Sequence, residues 1–179
     1  MYLEASMCMF KENIAYITKI FNEAGISPID YVTKVPSNYF YNNKDIKDIN
    51  IGSKFTRIGA GAFENSSVES IVIGENVKFI ETEAFMRCNN LKRVIIKSPE
   101  TCLYENCFES CESLEDFNIA GPKVTIKQGA FAGDYDLLNI TFGGTMHDWL
   151  YNDIDIGLCD HNNISKIICS DGEKIYARN

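Results

Sequence analysis

The stretch Ile80–Leu103 reads IETEAFMRCNNLKRVIIKSPETCL, and nearly the same apolar skeleton recurs before and after it. Two columns of apolar residues can be aligned, and successive members are 22 or 23 residues apart. The columns are Ile58, Ile80, Leu103, Ile126 and Trp149, and Phe40, Phe63, Phe85, Phe108 and Phe131. A fixed period in this range is typical of a solenoid, in which each repeat forms one coil. The sequence therefore predicts a repeat solenoid.

Each repeat contains a short segment in which apolar and other residues alternate. These segments are Asp48–Gly52, Ser70–Gly74, Arg93–Lys97, Asp116–Ala120 and Asn139–Gly143. Alternate side chains of a strand point to opposite faces, so each segment is predicted to bury two residues and expose two. The exposed residues would be Asp48, Asn50, Ser70, Val72, Arg93, Ile95, Asp116, Asn118, Asn139 and Thr141. With the apolar residue just upstream, the pattern is L-x-x-L-x-L, which is typical of leucine-rich repeats.

The predicted fold class is α/β: a right-handed leucine-rich-repeat solenoid with a parallel sheet on one face. We expect a single domain over residues 1–179, with five repeats at 35–142 and caps at 1–34 and 143–179. Within the first cap, Cys8–Ala24 has apolar residues at helical spacing, and Gly25 would end the helix. This helix would cover the first coil. A partner-binding or membrane-surface helix is the alternative, although its polar face lacks the Lys and Arg richness of a membrane-surface helix.

The last section, from Gly143, breaks the period. Thr145–Tyr151 is predicted to form a short helix with Trp149 in phase with Ile126. A final strand around Ile164–Cys169 would follow, and Lys174–Ala177 would pair back on it after a turn at Asp171–Gly172. We interpret this section as a C-terminal cap; a small functional head is the alternative.

Three stretches carry a family resemblance: GAFENSSVESIVIG at Gly61–Gly74, AFMRCNNLKRVII at Ala84–Ile96, and CFESCESL at Cys107–Leu114. They resemble the BspA-like type of leucine-rich repeat, over about Val35–Tyr176. The endings GTMHDWLYND and IICSDGEKIY are similar to segments that close such arrays. The resemblance implies a repeat solenoid and a role in protein binding, since the family includes bacterial surface adhesins as well as members of unknown role.

Composition limits the class of function. The chain has 179 residues, 45% of them hydrophobic and 23% charged, with a net charge of −8. This charge argues against direct nucleic-acid binding, which depends on Lys and Arg. No segment approaches the ~18 apolar residues of a membrane span. The start MYLEASMCMFKENIAY lacks the features of a signal peptide, so we expect a cytoplasmic protein with its seven cysteines reduced.

The exposed strand face is the first candidate site. Lys47, Glu69, Lys92 and Glu115 would form a row of alternating charge, interpreted as a solvated ladder. Val72 and Ile95 would lie side by side next to Arg93 as a small apolar spot. Two interpretations stay open for that spot: ordinary β-propensity on a sheet surface, or the centre of a protein contact.

The cysteines and histidines give weaker signals. Cys88 and Cys111 share one phase in adjacent coils, so they are interpreted as buried thiols, with a disulfide as the alternative. Cys107 and Cys111 are four apart, but no second pair has zinc-ligand spacing. The remaining cluster of acids and histidines is interpreted as a polar cap loop. It comprises His147, Asp148, Asp153, Asp155, Cys159, Asp160 and His161. We therefore predict no catalytic residue, metal or cofactor.

The sequence thus favours a non-catalytic module that binds a protein partner through the exposed sheet face. Two narrower versions remain as alternatives. One is an intracellular inhibitor or adaptor, encoded by a phage or mobile element, that acts on a basic nucleic-acid enzyme. The other is a surface adhesin-like module. The identity of the partner and the oligomeric state are not encoded in any pattern of the sequence.

Overall fold

The computed structural model describes residues 33–155 and 163–175, which form two sheets and one short helix. The strands are β1 (Lys34–Val35), β2 (Asp48–Ile51), β3 (Arg57–Ile58), β4 (Ser70–Ile73), β5 (Phe79–Ile80), β6 (Arg93–Ile96), β7 (Glu100–Leu103), β8 (Asp116–Ile119), β9 (Lys123–Ile126), β10 (Asn139–Phe142), β11 (Lys166–Cys169) and β12 (Gly172–Ile175). The helix α1 (Met146–Tyr151) lies between β10 and β11. The predicted N-terminal helix at Cys8–Ala24 lies outside the described residues.

The first sheet contains the strands that the sequence predicts. Its order is β2-β4-β6-β8-β10-β11-β12, with every pair parallel except the last. Each of its first five strands shows the predicted alternation of buried and solvent-facing residues. The parallel-sheet solenoid predicted from the repeat period is therefore confirmed.

A second sheet, in the order β1-β3-β5-β7-β9, forms another side of the coil, whereas the sequence predicts only one strand per repeat. Its pairs are also parallel. The first three of these strands have only two residues each, such as Arg57–Ile58, with one inward side chain. Alternation over two residues leaves no recognisable pattern in the sequence. β7 and β9 have four residues each and alternate as the strands of the first sheet do, so these two strands carry a signal from which the second sheet could be predicted.

Tight turns make the third side of each coil. In each coil, the residues two before and two after the regularly spaced phenylalanine have φ between 54° and 78°. They are Asn38, Gly61, Glu83, Asn106 and Gly129 before it, and Asn42, Asn65, Arg87, Ser110 and Gly133 after it. Gly and Asn tolerate this left-handed region best, and they occupy seven of these ten positions. The two left-handed residues bend the chain around the phenylalanine between them.

The phenylalanines of successive coils stack on one another in the core. Ring centroids of Phe40, Phe63, Phe85 and Phe108 are 4.9–5.0 Å apart, and adjacent rings are within 13° of parallel. The backbone N–H of Phe63 donates to the carbonyl of Ala84 at 2.7 Å, and that of Phe85 donates to Cys107 at 2.7 Å. The ring spacing therefore follows the ~4.7–4.9 Å spacing of hydrogen-bonded backbones.

The stack widens at its C-terminal end. Phe108 and Phe131 are 6.0 Å apart because Phe117, on the inner face of β8, packs edge-on against both rings at 5.1 and 4.9 Å. At the equivalent inward position, β2 and β4 have Ile49 and Ile71. The larger ring of Phe117 thus fills the volume between two coils.

The described part of the C-terminal section contains the predicted short helix and final strand, and the strand that pairs back begins at Gly172, whereas the sequence predicts it from Lys174. Helix α1 begins with a capping box, in which Thr145 and Asp148 exchange hydrogen bonds between side chains and backbone N–H groups. Trp149 is buried with its ring 5.1 Å from Phe142. The β11–β12 hairpin then closes the first sheet with an antiparallel pair. An antiparallel strand cannot continue the parallel stacking of coils.

We expect Phe85→Ala to lower the free energy of unfolding by about 3–5 kcal/mol, because it removes a buried ring that contacts stacked rings on both sides. Urea unfolding followed by circular dichroism would measure the change. Tyr135→Ala, which removes an aromatic ring that is 54% exposed, serves as the control and should cost less than about 1 kcal/mol. Similar losses for the two variants would contradict a central role for the phenylalanine stack.

Candidate functional site: the outer face of the first sheet

The ten residues predicted to face solvent lie on the outer face of the first sheet, in two rows fixed by the strand register. One row contains Asp48, Ser70, Arg93, Asp116 and Asn139. The other contains Asn50, Val72, Ile95, Asn118 and Thr141. Parallel pairing without a register shift brings each residue beside its equivalent in the next coil. We call this surface the sheet face.

The polar groups of the first row pair with one another across coils. The Ser70 hydroxyl donates to Asp48 at 2.5 Å, and the Arg93 guanidinium pairs with Asp116 at 2.9 Å. Just upstream, Lys47 pairs with Glu69 at 2.8 Å. Exposed ion pairs of this kind stabilise a fold by only ~0–1 kcal/mol. Half of the predicted charge ladder forms, whereas Lys92 and Glu115 make no ion pair with any residue in the described ranges.

The second row contains the apolar spot. Val72 and Ile95 are register partners on β4 and β6, and both side chains are half-buried. Asn50 and Asn118 flank them in the same row. The row continues through Thr141 to Ile168 on β11, a residue that the five predicted strands do not include. Val72 and Ile95, named the apolar pair below, are therefore adjacent, as the alternation predicts.

The second sheet has an outer face of a different character. Its central row runs Lys34, Arg57, Phe79, Cys102 and Thr125. The Arg57 guanidinium lies 4.4 Å from the centre of the Phe79 ring, and both Arg57 and Lys34 pair with Glu81, at 2.7 and 3.1 Å. Partial burial alone would raise the pKa of Glu81, but the hydrogen bonds from Arg57 and Lys34 lower it. The charges here are satisfied within the chain.

A column of polar groups runs through the core three residues after each phenylalanine. Its described members include Ser66, Cys88, Cys111 and Asp134. The Cys88 thiol donates to the carbonyl of Phe63 at 3.0 Å, and the Cys111 thiol donates to that of Phe85 at 3.2 Å. Both cysteines are free, in line with the buried-thiol interpretation and without the alternative disulfide. Burial raises the pKa of Cys88 to about 11, so its thiol stays protonated and is a poor nucleophile.

Asp134 occupies the cysteine position of the last full coil, with none of its surface exposed. Its Oδ1 accepts a hydrogen bond from the Cys111 N–H at 2.8 Å, and its Oδ2 has no partner in the described ranges. Burial raises the pKa of Asp134 to about 9, so the carboxyl is neutral at pH 7. The sequence analysis above does not single out Asp134; its phase with Cys88 and Cys111 is the signal that places it in the core.

Stability should therefore decline as the pH rises toward 9. The folded chain holds a proton on Asp134 that the unfolded chain releases near pH 4, so this proton's stabilising contribution is complete below about pH 4. This contribution to the free energy of unfolding is lost progressively as the pH rises from about 4 to the pKa of Asp134 in the folded chain, about 9. We expect Asp134→Asn to flatten this dependence between pH 5 and 9, as measured by urea unfolding at each pH. Asp136→Asn, at an exposed site, should leave the dependence unchanged, and a similar slope in the wild type and Asp134→Asn would contradict the assignment.

The cluster of acids and histidines at the C-terminal end does not form a metal site among the residues that the structure describes. No group of three His, Cys, Asp or Glu side chains with metal-binding geometry occurs there. His147 stacks on Tyr151 at 4.3 Å, and Asp148 caps α1. Cys159, Asp160 and His161 lie outside the described residues. Across residues 33–155 and 163–175, no helix has the length and apolar character needed to cross a membrane.

These coils, with their parallel sheets, stacked phenylalanines and open outer face, define a repeat solenoid of the leucine-rich class. The model of the BspA type leucine-rich repeat region matches residues 30–152 in six copies, and the chain belongs to this family. The family model thus counts six repeats over residues 30–152, one more than the five that the sequence predicts over residues 35–142. The match covers well over half of the chain.

A solved structure gives the same fold. The crystal structure of the T. pallidum leucine-rich repeat protein superimposes with a TM-score of 0.58 at 22% sequence identity. The alignment covers 63% of this chain and 54% of that protein, so this chain matches about half of that protein's length. No curated protein matches the sequence. The family and fold are typical of modules that bind proteins and do not catalyse reactions.

Proposed function

We propose that this chain binds a protein partner through the sheet face, without catalysis, and that the apolar pair lies at the centre of the contact. The observation that carries the proposal is the position of Val72 and Ile95: two adjacent, half-buried aliphatic side chains on neighbouring strands of the first sheet, neither of which is an edge strand. Residues at the centre of an interface lose most water on binding and contribute most of the affinity.

The surroundings of the apolar pair support this assignment. On one side of the row, the polar groups of Asp48, Ser70, Arg93 and Asp116 already pair with each other. A partner that covers Val72 and Ile95 would therefore leave these groups with their hydrogen bonds intact at the edge of the contact. Interfaces commonly combine a dry apolar centre with such a polar rim.

The narrower versions of the function stay predictions. The inhibitor or adaptor of a basic enzyme is supported by the net charge of −8, and the adhesin-like module is supported by the family resemblance. Cytoplasmic location likewise stays a prediction from the sequence. The exposed cations Lys92, Arg93 and Lys97, all in the coil that carries Ile95, weigh against a strongly basic partner at this position.

We expect the double variant Val72→Asp/Ile95→Asp to fold normally and to lose its partner. Affinity purification on the immobilised full chain, from lysate and culture medium of the organism that encodes it, followed by mass spectrometry, would detect partners. Outward-facing positions of a sheet tolerate polar residues, but two adjacent Asp side chains repel each other, so the thermal unfolding midpoint should fall modestly without loss of the fold.

The matched control is Cys102→Asp/Thr125→Asp. These residues are also adjacent and half-buried, but they lie on the outer face of the second sheet. The control adds the same charge and should retain every protein that the wild type retains. Partners that bind the sheet-face variant as well as the wild type would remove this face from consideration.

A further inference from the structure

Three cations lie in the coil that carries Ile95: Arg93 belongs to the sheet face, and Lys92 and Lys97 flank β6 directly before and after it. Lys92 and Arg93 precede Ile95 and Lys97 follows it, and all three cationic residues are exposed. The residues that align with Lys97 in the other four predicted repeats are small: Gly52, Gly74, Ala120 and Gly143. Lys97 is therefore the single long side chain among these five equivalent positions.

Two of these cations are free for an external ligand. Neither Lys92 nor Lys97 forms an ion pair with any residue of 33–155 or 163–175. Glu69, which is the neighbour of Lys92 in the adjacent coil, is held by Lys47 at 2.8 Å. The third cation, Arg93, already pairs with Asp116 at 2.9 Å, so the two free cations are the lysines.

The two free lysines lie on opposite sides of the apolar pair. Lys92 is three residues before Ile95 and Lys97 is two residues after it along the same coil. At ~3.3 Å per residue, the two backbone positions are roughly 16 Å apart along the strand direction. An extended ligand lying along β6 would therefore meet a cation, an aliphatic surface and a second cation in turn.

We propose that the sheet face binds an acidic, extended peptide segment of a protein partner. An apolar side chain of that segment would cover Val72 and Ile95, and carboxylates on either side of it would pair with Lys92 and Lys97. This proposal rests on the proposed function and specifies the chemistry of the partner. Charge complementarity supports it, because this coil is locally cationic in a chain whose net charge is −8.

A nucleic acid fits these features less well. A phosphate backbone presents a continuous row of negative charge, and the coils on both sides of β6 carry carboxylates, namely Glu69 in one and Glu115 and Asp116 in the other. These carboxylates would repel phosphates that extend beyond one coil. The apolar pair also offers no hydrogen-bonding group to a nucleotide, whereas it matches the aliphatic anchor of a peptide.

The test is a selection of random 12-residue peptides displayed on phage against the immobilised full chain. Selected peptides would be synthesised with a fluorophore, and their dissociation constants measured by fluorescence polarisation. The variants are Lys92→Glu/Lys97→Glu and Val72→Asp/Ile95→Asp. The matched control is Lys78→Glu/Lys123→Glu, which changes the net charge equally at exposed lysines outside the sheet face.

We expect the selected peptides to share an apolar residue flanked by Asp or Glu. Lys92→Glu/Lys97→Glu should weaken their binding at least about tenfold, and the control should not. Binding should also weaken as NaCl rises from 50 to 500 mM, because salt screens exposed charges. A duplex DNA of 20 base pairs, tested as a competitor, should not displace the peptides.

Other results separate this proposal from the broader one. Peptides that are lost with Val72→Asp/Ile95→Asp but bind equally to Lys92→Glu/Lys97→Glu would overturn the acidic partner and support the sheet face as the binding surface. Peptides unaffected by either variant would overturn both proposals. Displacement by DNA would overturn the peptide proposal in favour of a nucleic acid, and the absence of any enriched peptide would count against both proposals.

Discussion

The structure depends on backbone hydrogen bonds that join each coil to the next at the phenylalanine turn. The N–H of Phe63 reaches the next coil at Ala84, and that of Phe85 reaches Cys107, both at 2.7 Å. These bonds set the rise per coil, and the rings stack at nearly the same spacing because they are attached to the bonded residues. A coil that lost its ring would leave a cavity bordered by both neighbours, since close-packed cores relax only partly.

The same constraint produces the candidate binding surface. Because the strands pair without a register shift, the outward residues of successive strands form rows. The chemical character of each row therefore depends on which residues adjacent coils place side by side. Val72 and Ile95 form an apolar pair only because β4 and β6 pair without a shift; a shift by one residue would bury them. The chemistry of this surface is therefore determined by a few outward-facing residues on a scaffold that the buried columns hold constant.

The sequence predicts the features that recur at a long, regular spacing and fails on those that are short or unique. Five strands and the column of phenylalanines follow from periodicity, and α1 follows from the phase of Trp149 with Ile126. The strand Arg57–Ile58 is too short to show alternation, so its contact with Phe79 emerges only in three dimensions. Asp134 resembles any loop aspartate until its phase with Cys111 is considered. Lys92 has no ion pair with Glu69 because Glu69 pairs with Lys47 instead, and the sequence does not show which of the two lysines Glu69 contacts.

The direction of the intercoil hydrogen bonds has a mechanical consequence. Bonds such as Asn38 N–H to the Ala60 carbonyl, at 3.0 Å, run along the solenoid axis, and each coil contacts only its neighbours. Tension applied along that axis would act on every boundary between coils, and the weakest boundary would open first, so coils would detach one after another. Each released coil would lengthen the chain by 22 or 23 residues, up to roughly 80 Å when extended. The protein would thus behave under load as an extensible tether.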